Sequence, residues 1–199
     1  MTITKDMLFY DCEIVNCINP IEGYTSCDGW HDYKGMGISV IGTYCLEGGY
    51  HAYLFEDIFS FQALVDCHSE IIGFNSRNFD DLLLQANGVA INTTYDLLEE
   101  IRFASGQPRK YTYGKTRGGY SLDCLARENL LFGKSGNGML APVLWQQGKK
   151  QEVIDYCLKD VEIMVLLFEK KSALIDPTNG SILECAKSIT EITADVYAN

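Results

Sequence analysis

The sequence predicts an α/β fold in which a β-sheet is covered by helices. Three β-rich segments open the chain, one helix-spaced segment and a short apolar run follow, and the remainder is mainly helical in pattern. The first three strands are expected to be antiparallel, the second and third joined by a tight turn. A length of 199 residues is enough for one domain with a proper core.

Residues 7–18 are apolar, rich in β-formers, and read as the first strand. Residues 37–46 (GISVIGTYCL) and 50–55 read as a hairpin about the turn Glu47-Gly48-Gly49. Ile58, Phe61, Leu64 and Val65 recur at helical spacing within 58–67. Residues 70–74 are too short for a helix and read as a buried strand. Residues 78–87 (NFDDLLLQAN) predict a helix closed by Gly88, and Thr93 or Thr94 is placed to cap another over 95–104. Residues 105–120 (SGQPRKYTYGKTRGGY) form a Gly- and Pro-punctuated loop, after which Ser121 caps a helix through Leu130. A second polar loop, GKSGNG, spans 133–138. The longest helix is expected over 150–171, with Val153, Cys157, Val161 and Phe168 in register. Asp176-Pro177-Thr178-Asn179-Gly180 breaks the chain. The division expected is one domain over 1–175 and a tail over 176–199 of unassigned role, β-rich in composition from Ser181 onward but not placed by the pattern.

An apolar content of 47% with 22% charged residues excludes a disordered chain. No stretch reaches the roughly 20 apolar residues of a membrane span, and residues 1–10 lack the apolar run of a secretory signal. Eight cysteines with no C-x-x-C pair, set in apolar runs, read as reduced buried thiols of an intracellular, cytoplasmic protein. Cys27 and His31 have a zinc-like spacing, but no second pair completes a site. The net charge of −11 speaks against a passive basic nucleic-acid binder, yet it is uneven. Residues 1–100 hold 3 Lys/Arg against 16 Asp/Glu, whereas residues 101–150 hold 9 against 2.

Asp11 and Glu13 lie two apart in the first strand and therefore point to one face. Carboxylates in the middle of an apolar strand are costly unless a cation neutralises them, and hard divalent ions such as Mg²⁺ or Mn²⁺ suit oxygen ligands. Asp80 follows the buried strand and sits near the start of the next helix, the end of a sheet where α/β proteins place their sites. Asp81 beside it reads as a helix-start acid placed against the dipole. Tyr156 and Asp160 are four apart on the long helix and share a face. D-x-E and Tyr-x3-Asp both recur elsewhere in the chain, at Asp160/Glu162 and at Tyr24/Asp28 and Tyr53/Asp57. The weight therefore lies in the order: D-x-E in a strand, Asn-x3-Phe-Asp at a strand–helix junction, Tyr-x3-Asp in a late helix.

These three segments resemble the Exo I, II and III motifs of the DEDD superfamily of 3′–5′ exonucleases, in the branch whose third motif carries tyrosine. FYDCEI, IIGFNSRNFDDLLL and VIDYCLKDVEIMVLLFE are similar to the corresponding motifs in proofreading exonuclease domains of family B DNA polymerases, a match over roughly residues 7–170. Phe74 stands where that family often has histidine. The resemblance implies a ribonuclease H-like three-layer fold, a mixed β-sheet flanked by α-helices, and two-metal-ion phosphodiester hydrolysis with Mg²⁺ or Mn²⁺. It implies that Asp11 bridges two metals, that Glu13 and Asp160 hold the one beside the attacking water, that Asp80 orients the other, and that Tyr156 positions the water. Asn75 and Phe79 are expected at the terminal nucleotides. Read from the residues alone, Tyr156 also suits helix packing, and Asn75 and Phe79 a turn and the core.

In the basic segment, Arg109, Lys110, Tyr111, Tyr113, Lys115 and Arg117 interleave cations with aromatic rings, a composition suited to single-stranded nucleic acid. The bland alternative is a solvated loop with its tyrosines folded back. Lys134, Lys149 and Lys150 are candidates to extend the patch. The function expected is a stand-alone metal-dependent 3′–5′ exonuclease acting on single-stranded 3′ ends, DNA favoured over RNA. An RNA-end trimmer and a non-hydrolytic interaction module on the same fold are the alternatives.

Overall fold

The computed structural model describes residues 2–130, 132–133 and 138–185. In chain order its elements are β1 (Met7–Ile14), α1 (Tyr33–Met36), β2 (Ile38–Cys45), β3 (Gly49–Leu54), α2 (Ile58–Asp66), β4 (Glu70–Gly73), α3 (Asp80–Ala86) and β5 (Tyr95–Asp96). There follow α4 (Leu97–Ala104), α5 (Leu122–Leu130), α6 (Ala141–Gln146), α7 (Lys150–Glu169), β6 (Leu174–Ile175) and β7 (Ile182–Leu183). Lys134, most of the 133–138 loop and the tail beyond 185 lie outside the described residues.

The main sheet has the order β3-β2-β1-β4-β5, with β2 antiparallel to both neighbours and β4 and β5 parallel to β1 and to each other. Strand β1 is central and buried on both faces, which explains its nearly continuous apolar sequence. Its side chains alternate between two cores. Leu8, Tyr10, Cys12 and Ile14 pack with Phe61 of α2 and Leu83 of α3. Met7 and Phe9 pack with residues of α4, α5 and α7. Phe168 of α7 stands edge-on to Phe9 at 5.1 Å and to Tyr95 at 5.3 Å, pairs that each stabilise by about 0.5–1.5 kcal/mol beyond burial. Helices on both faces of this five-stranded mixed sheet make the chain a three-layer α/β protein of ribonuclease H-like fold.

Several boundaries move for identifiable reasons. Strand β1 ends at Ile14, not residue 18, because the register slips between Glu13 and Ile14 and the chain turns away to bond Met36 and Thr25. The helix expected from 78 begins at Asp80, after a 3₁₀ turn over Ser76–Asn78. Residues 95–96 join the sheet, so the following helix begins at Leu97 and is capped by Asp96, whose carboxylate accepts from the Leu98 and Glu99 amides. Neither threonine caps it. Thr93 bonds Asp81 and Thr94 bonds Ile71 across the sheet. Asp81 stands in the first turn of α3, as the dipole argument expects, and it is also buried and accepts from the Tyr10 hydroxyl.

Past the break at 176 the chain stays with the core. Strand β7 pairs with β6, and Leu183 and Cys185 join the α4/α5/α7 cluster. All eight cysteines are free thiols: five are buried, Cys27 and Cys124 are half-buried, and Cys67 is exposed. No helix among the described residues is long and apolar enough to cross a membrane.

Candidate active site

Asp11, Glu13 and Asp160 converge. One carboxylate oxygen from each lies within 4.8 Å of the others. Strand alternation supplies the first two, and α7 brings Asp160 across the same face of the sheet. The close approach of α7 depends on Gly42, the β2 residue paired with Asp11. A Cβ at Gly42 would stand 2.9 Å from the Cys157 sulfur and 3.2 Å from a Val161 methyl. The Cys157 thiol sits 3.4 Å from the Asp11 carbonyl oxygen. Burial, followed by the charges of Asp11 and Glu13, pushes that thiol well above its ordinary pKa, so it stays protonated beside the carboxylates.

Asp80 is buried and lines the same cleft, but it is not one of the three converging acids. Burial, with the Asp11 charge second, raises its pKa well above the ordinary carboxyl value. Its placement follows from the turn between β4 and α3. Gly73 leaves no room for a side chain, since a Cβ there would fall 1.9 Å from the Ser76 hydroxyl oxygen. Asn75 adopts a left-handed backbone at φ 65°. Asp96 accepts from the Asn75 amide at 2.9 Å and the Arg77 amide at 3.2 Å. The Arg77 guanidinium bonds the Thr93 and Thr94 carbonyls and forms an ion pair with buried Glu99 at 2.6 Å.

The acids line one cleft of about 790 Å³. Tyr156, Asn75 and Phe79 also line it. Gly138 lies close to Tyr156, so that a Cβ at 138 would come within 3.3 Å of the phenol oxygen. Away from the lining, Gln146 of α6 bonds the Val15 carbonyl and both backbone groups of Thr25, which ties α6 to the segment after β1. The opposite charge sign enters through Arg117 and Arg102. The Tyr120 hydroxyl donates to Asp176 at 2.8 Å, tying the wall at Gly118–Leu122 to the turn after β6.

Of the six basic-loop residues proposed for substrate, Arg117 lines the cleft, whereas Arg109, Lys110, Tyr111, Tyr113 and Lys115 do not. Arg109 is held by both oxygens of buried Glu100, at 2.7 and 3.2 Å, and lies 3.7 Å over the Phe103 ring. Tyr111 and Tyr113 are exposed, Tyr113 by 91%. Cys27 and His31 belong to no cluster of three possible metal ligands among the described residues. Sequence reasoning missed Trp30, Tyr33 and Arg102. Trp30 and Tyr33 both meet the Phe79 ring edge-on at the cleft, at 6.5 and 6.1 Å. The signal available was slight: two aromatic residues in a polar linker and one arginine near a helix end.

The donor set at Asp11, Glu13 and Asp160 is all carboxylate oxygen, two of the three residues are buried, and the oxygens are near one another. Such an all-oxygen group gathers negative charge that suits a hard divalent cation, and the residues fit one.

No family model and no curated relative matches this sequence. Among solved structures, the fold is similar to the family B DNA polymerase from the hyperthermophilic archaeon Pyrobaculum calidifontis, with a TM-score of 0.55 and 18% identity. The match covers 82% of this chain and 24% of the polymerase, so the chain spans about a quarter of that protein.

Proposed function

We propose that the chain is a metal-dependent 3′–5′ exonuclease of the tyrosine-containing DEDD type, acting on single-stranded 3′ ends with DNA preferred over RNA. The observation that carries this reading is the convergence of Asp11, Glu13 and Asp160 in a cleft that also contains Asp80 and Tyr156. The order of the three motifs and the likeness of fold to part of a DNA polymerase support it. The free cysteines suit a reducing, intracellular compartment.

Asp11, Glu13, Asp80 and Asp160 would hold two divalent ions, Mg²⁺ or Mn²⁺. When bound, those ions would supply positive charge to the phosphate and lower the pKa of the attacking water. Tyr156, one helical turn before Asp160, would donate or accept a hydrogen bond that orients that water. Phe79, with Trp30 and Tyr33 against its ring, offers an aromatic surface for the terminal base. Asn75 and Arg117 would contact the strand, and the exposed loop residues Lys110, Tyr111, Tyr113 and Lys115 would reach nucleotides farther from the end.

Incubation of 5′-labelled single-stranded DNA and RNA with Mg²⁺ or Mn²⁺ tests the reading. Stepwise shortening from the 3′ end, lost in Asp11→Ala and Asp80→Ala, is the expected result. Shortening of RNA alone would move the substrate to RNA. No cutting of either strand would leave a binding module.

A further inference from the structure

Arg102 lies in the last turn of α4 and lines the cleft that holds the carboxylates. Its Nε and Nη1 atoms are shielded from solvent and meet no acceptor among the described residues. The other charged residues of α4 are matched: Glu99 pairs with Arg77, and Glu100 with Arg109. Arg102 does not turn back to Glu99, whose second oxygen is itself buried without a partner. A cation at a helix C-terminus is favourable, but that effect leaves the donors free to stay in water. A guanidinium stays charged and presents its donors in a planar fork that fits phosphate oxygens. Burying two of those donors without an acceptor is unfavourable unless a ligand supplies one. Arg117, the second arginine of the cleft, already gives one nitrogen to the Ser105 carbonyl.

We propose that Arg102 grips a backbone phosphate of the strand bound in the cleft. The proposal rests on reading the cleft as a nucleic-acid site. It gives an acidic pocket a fixed cation for the anionic chain, at a residue outside the three motifs.

The test is anisotropy of a labelled single-stranded DNA oligonucleotide titrated with protein at fixed low Ca²⁺, with strand integrity checked on a gel. Arg102→Met is expected to bind roughly ten-fold or more weakly. Its slope of log Kd against log salt should fall by about 0.7, the value for one phosphate contact on a single strand. Arg102→Lys keeps the charge and should keep the slope while losing part of the affinity. Arg102→Met should unfold at or above the wild-type temperature, because the donors removed had no protein partner. A wild-type slope in Arg102→Met, in an enzyme that binds and trims DNA, overturns the assignment and leaves hydrolysis standing. A reduced slope in a protein that never cuts supports the contact and overturns hydrolysis instead. Wild-type protein that does not bind the oligonucleotide overturns both. A lowered unfolding temperature in Arg102→Met would make the residue part of the scaffold and overturn the proposal.

Discussion

The Gly42 amide donates to the Cys157 sulfur at 3.2 Å, directly opposite Asp11 in the strand register. The contact fixes how near α7 lies to the sheet, and hence where Asp160 stands relative to Asp11 and Glu13. Gly42→Ala places a methyl 2.9 Å from that sulfur, so helix or sheet must shift. Overpacking of this kind costs about 1–3 kcal/mol. The expected outcome is a lower urea midpoint together with weaker Mn²⁺ binding. Adding Cys157→Ala should recover part of both, and simple additivity in that double-mutant cycle would show the contact to be unimportant.

The three converging acids make stability depend on metal. Replacing Asp160 by Asn takes one carboxylate donor out of the group. Wild type should gain about 2.7 kcal/mol at a Mn²⁺ concentration one hundred times Kd, and the variant almost none. Thermal unfolding with and without Mn²⁺ measures both. Equal metal-induced shifts in the two proteins would remove Asp160 from the metal site.

The acids were legible because each obeys a local rule: Asp11 and Glu13 through strand alternation in an apolar segment, and Tyr156 and Asp160 through four-residue spacing on a helix. The helix-covered sheet and its antiparallel first three strands followed from the same periodicities, whereas the strand order and the division of the core did not. What was not legible depends on partners far apart in sequence. Nothing local marks Gly42 as the residue beneath α7. Thr93, Thr94 and Asp96 are all good cap residues, and the choice fell to Asp96 because Tyr95 and Asp96 pair with Ile72 and Gly73. Arg109 sits in a segment whose composition reads as solvated and basic, but its partner Glu100 is buried only when α4 packs.

That ion pair separates stability from binding within the basic loop. Glu100 is 1% exposed, so Arg109→Ala leaves a buried carboxylate without its cation. Breaking such a pair costs about 3–5 kcal/mol. Lys110→Ala with Lys115→Ala touches only exposed side chains and should leave stability within about 0.5 kcal/mol of wild type. If the lysines contact the strand, the double variant should still show a weaker salt dependence of DNA binding. Comparison of urea melts with binding isotherms distinguishes the two effects, and an Arg109→Ala melt equal to wild type would refute the structural role.

Asp96 gives the fold a pH dependence of defined sign. Burial, reinforced by the Glu99 charge, raises its carboxyl to about 6 despite the amides of Asn75 and Arg77 that favour the ionised form. In the unfolded chain the group titrates near its ordinary value of about 3.9. Between these values the folded protein binds the extra proton. The stability this group contributes is therefore fully present below about pH 4 and is lost as pH rises through about 6. The shift of about two units corresponds to about 3 kcal/mol. Asp96→Asn cannot ionise but keeps an oxygen for the Leu98 and Glu99 amides. From pH 4 to pH 7, wild type should lose stability relative to this variant, read as a narrowing or reversal of the difference between their urea midpoints. A difference that stays constant across that range would place the Asp96 carboxyl at its ordinary pKa and mean that the turn leading to Asp80 does not sense pH through it.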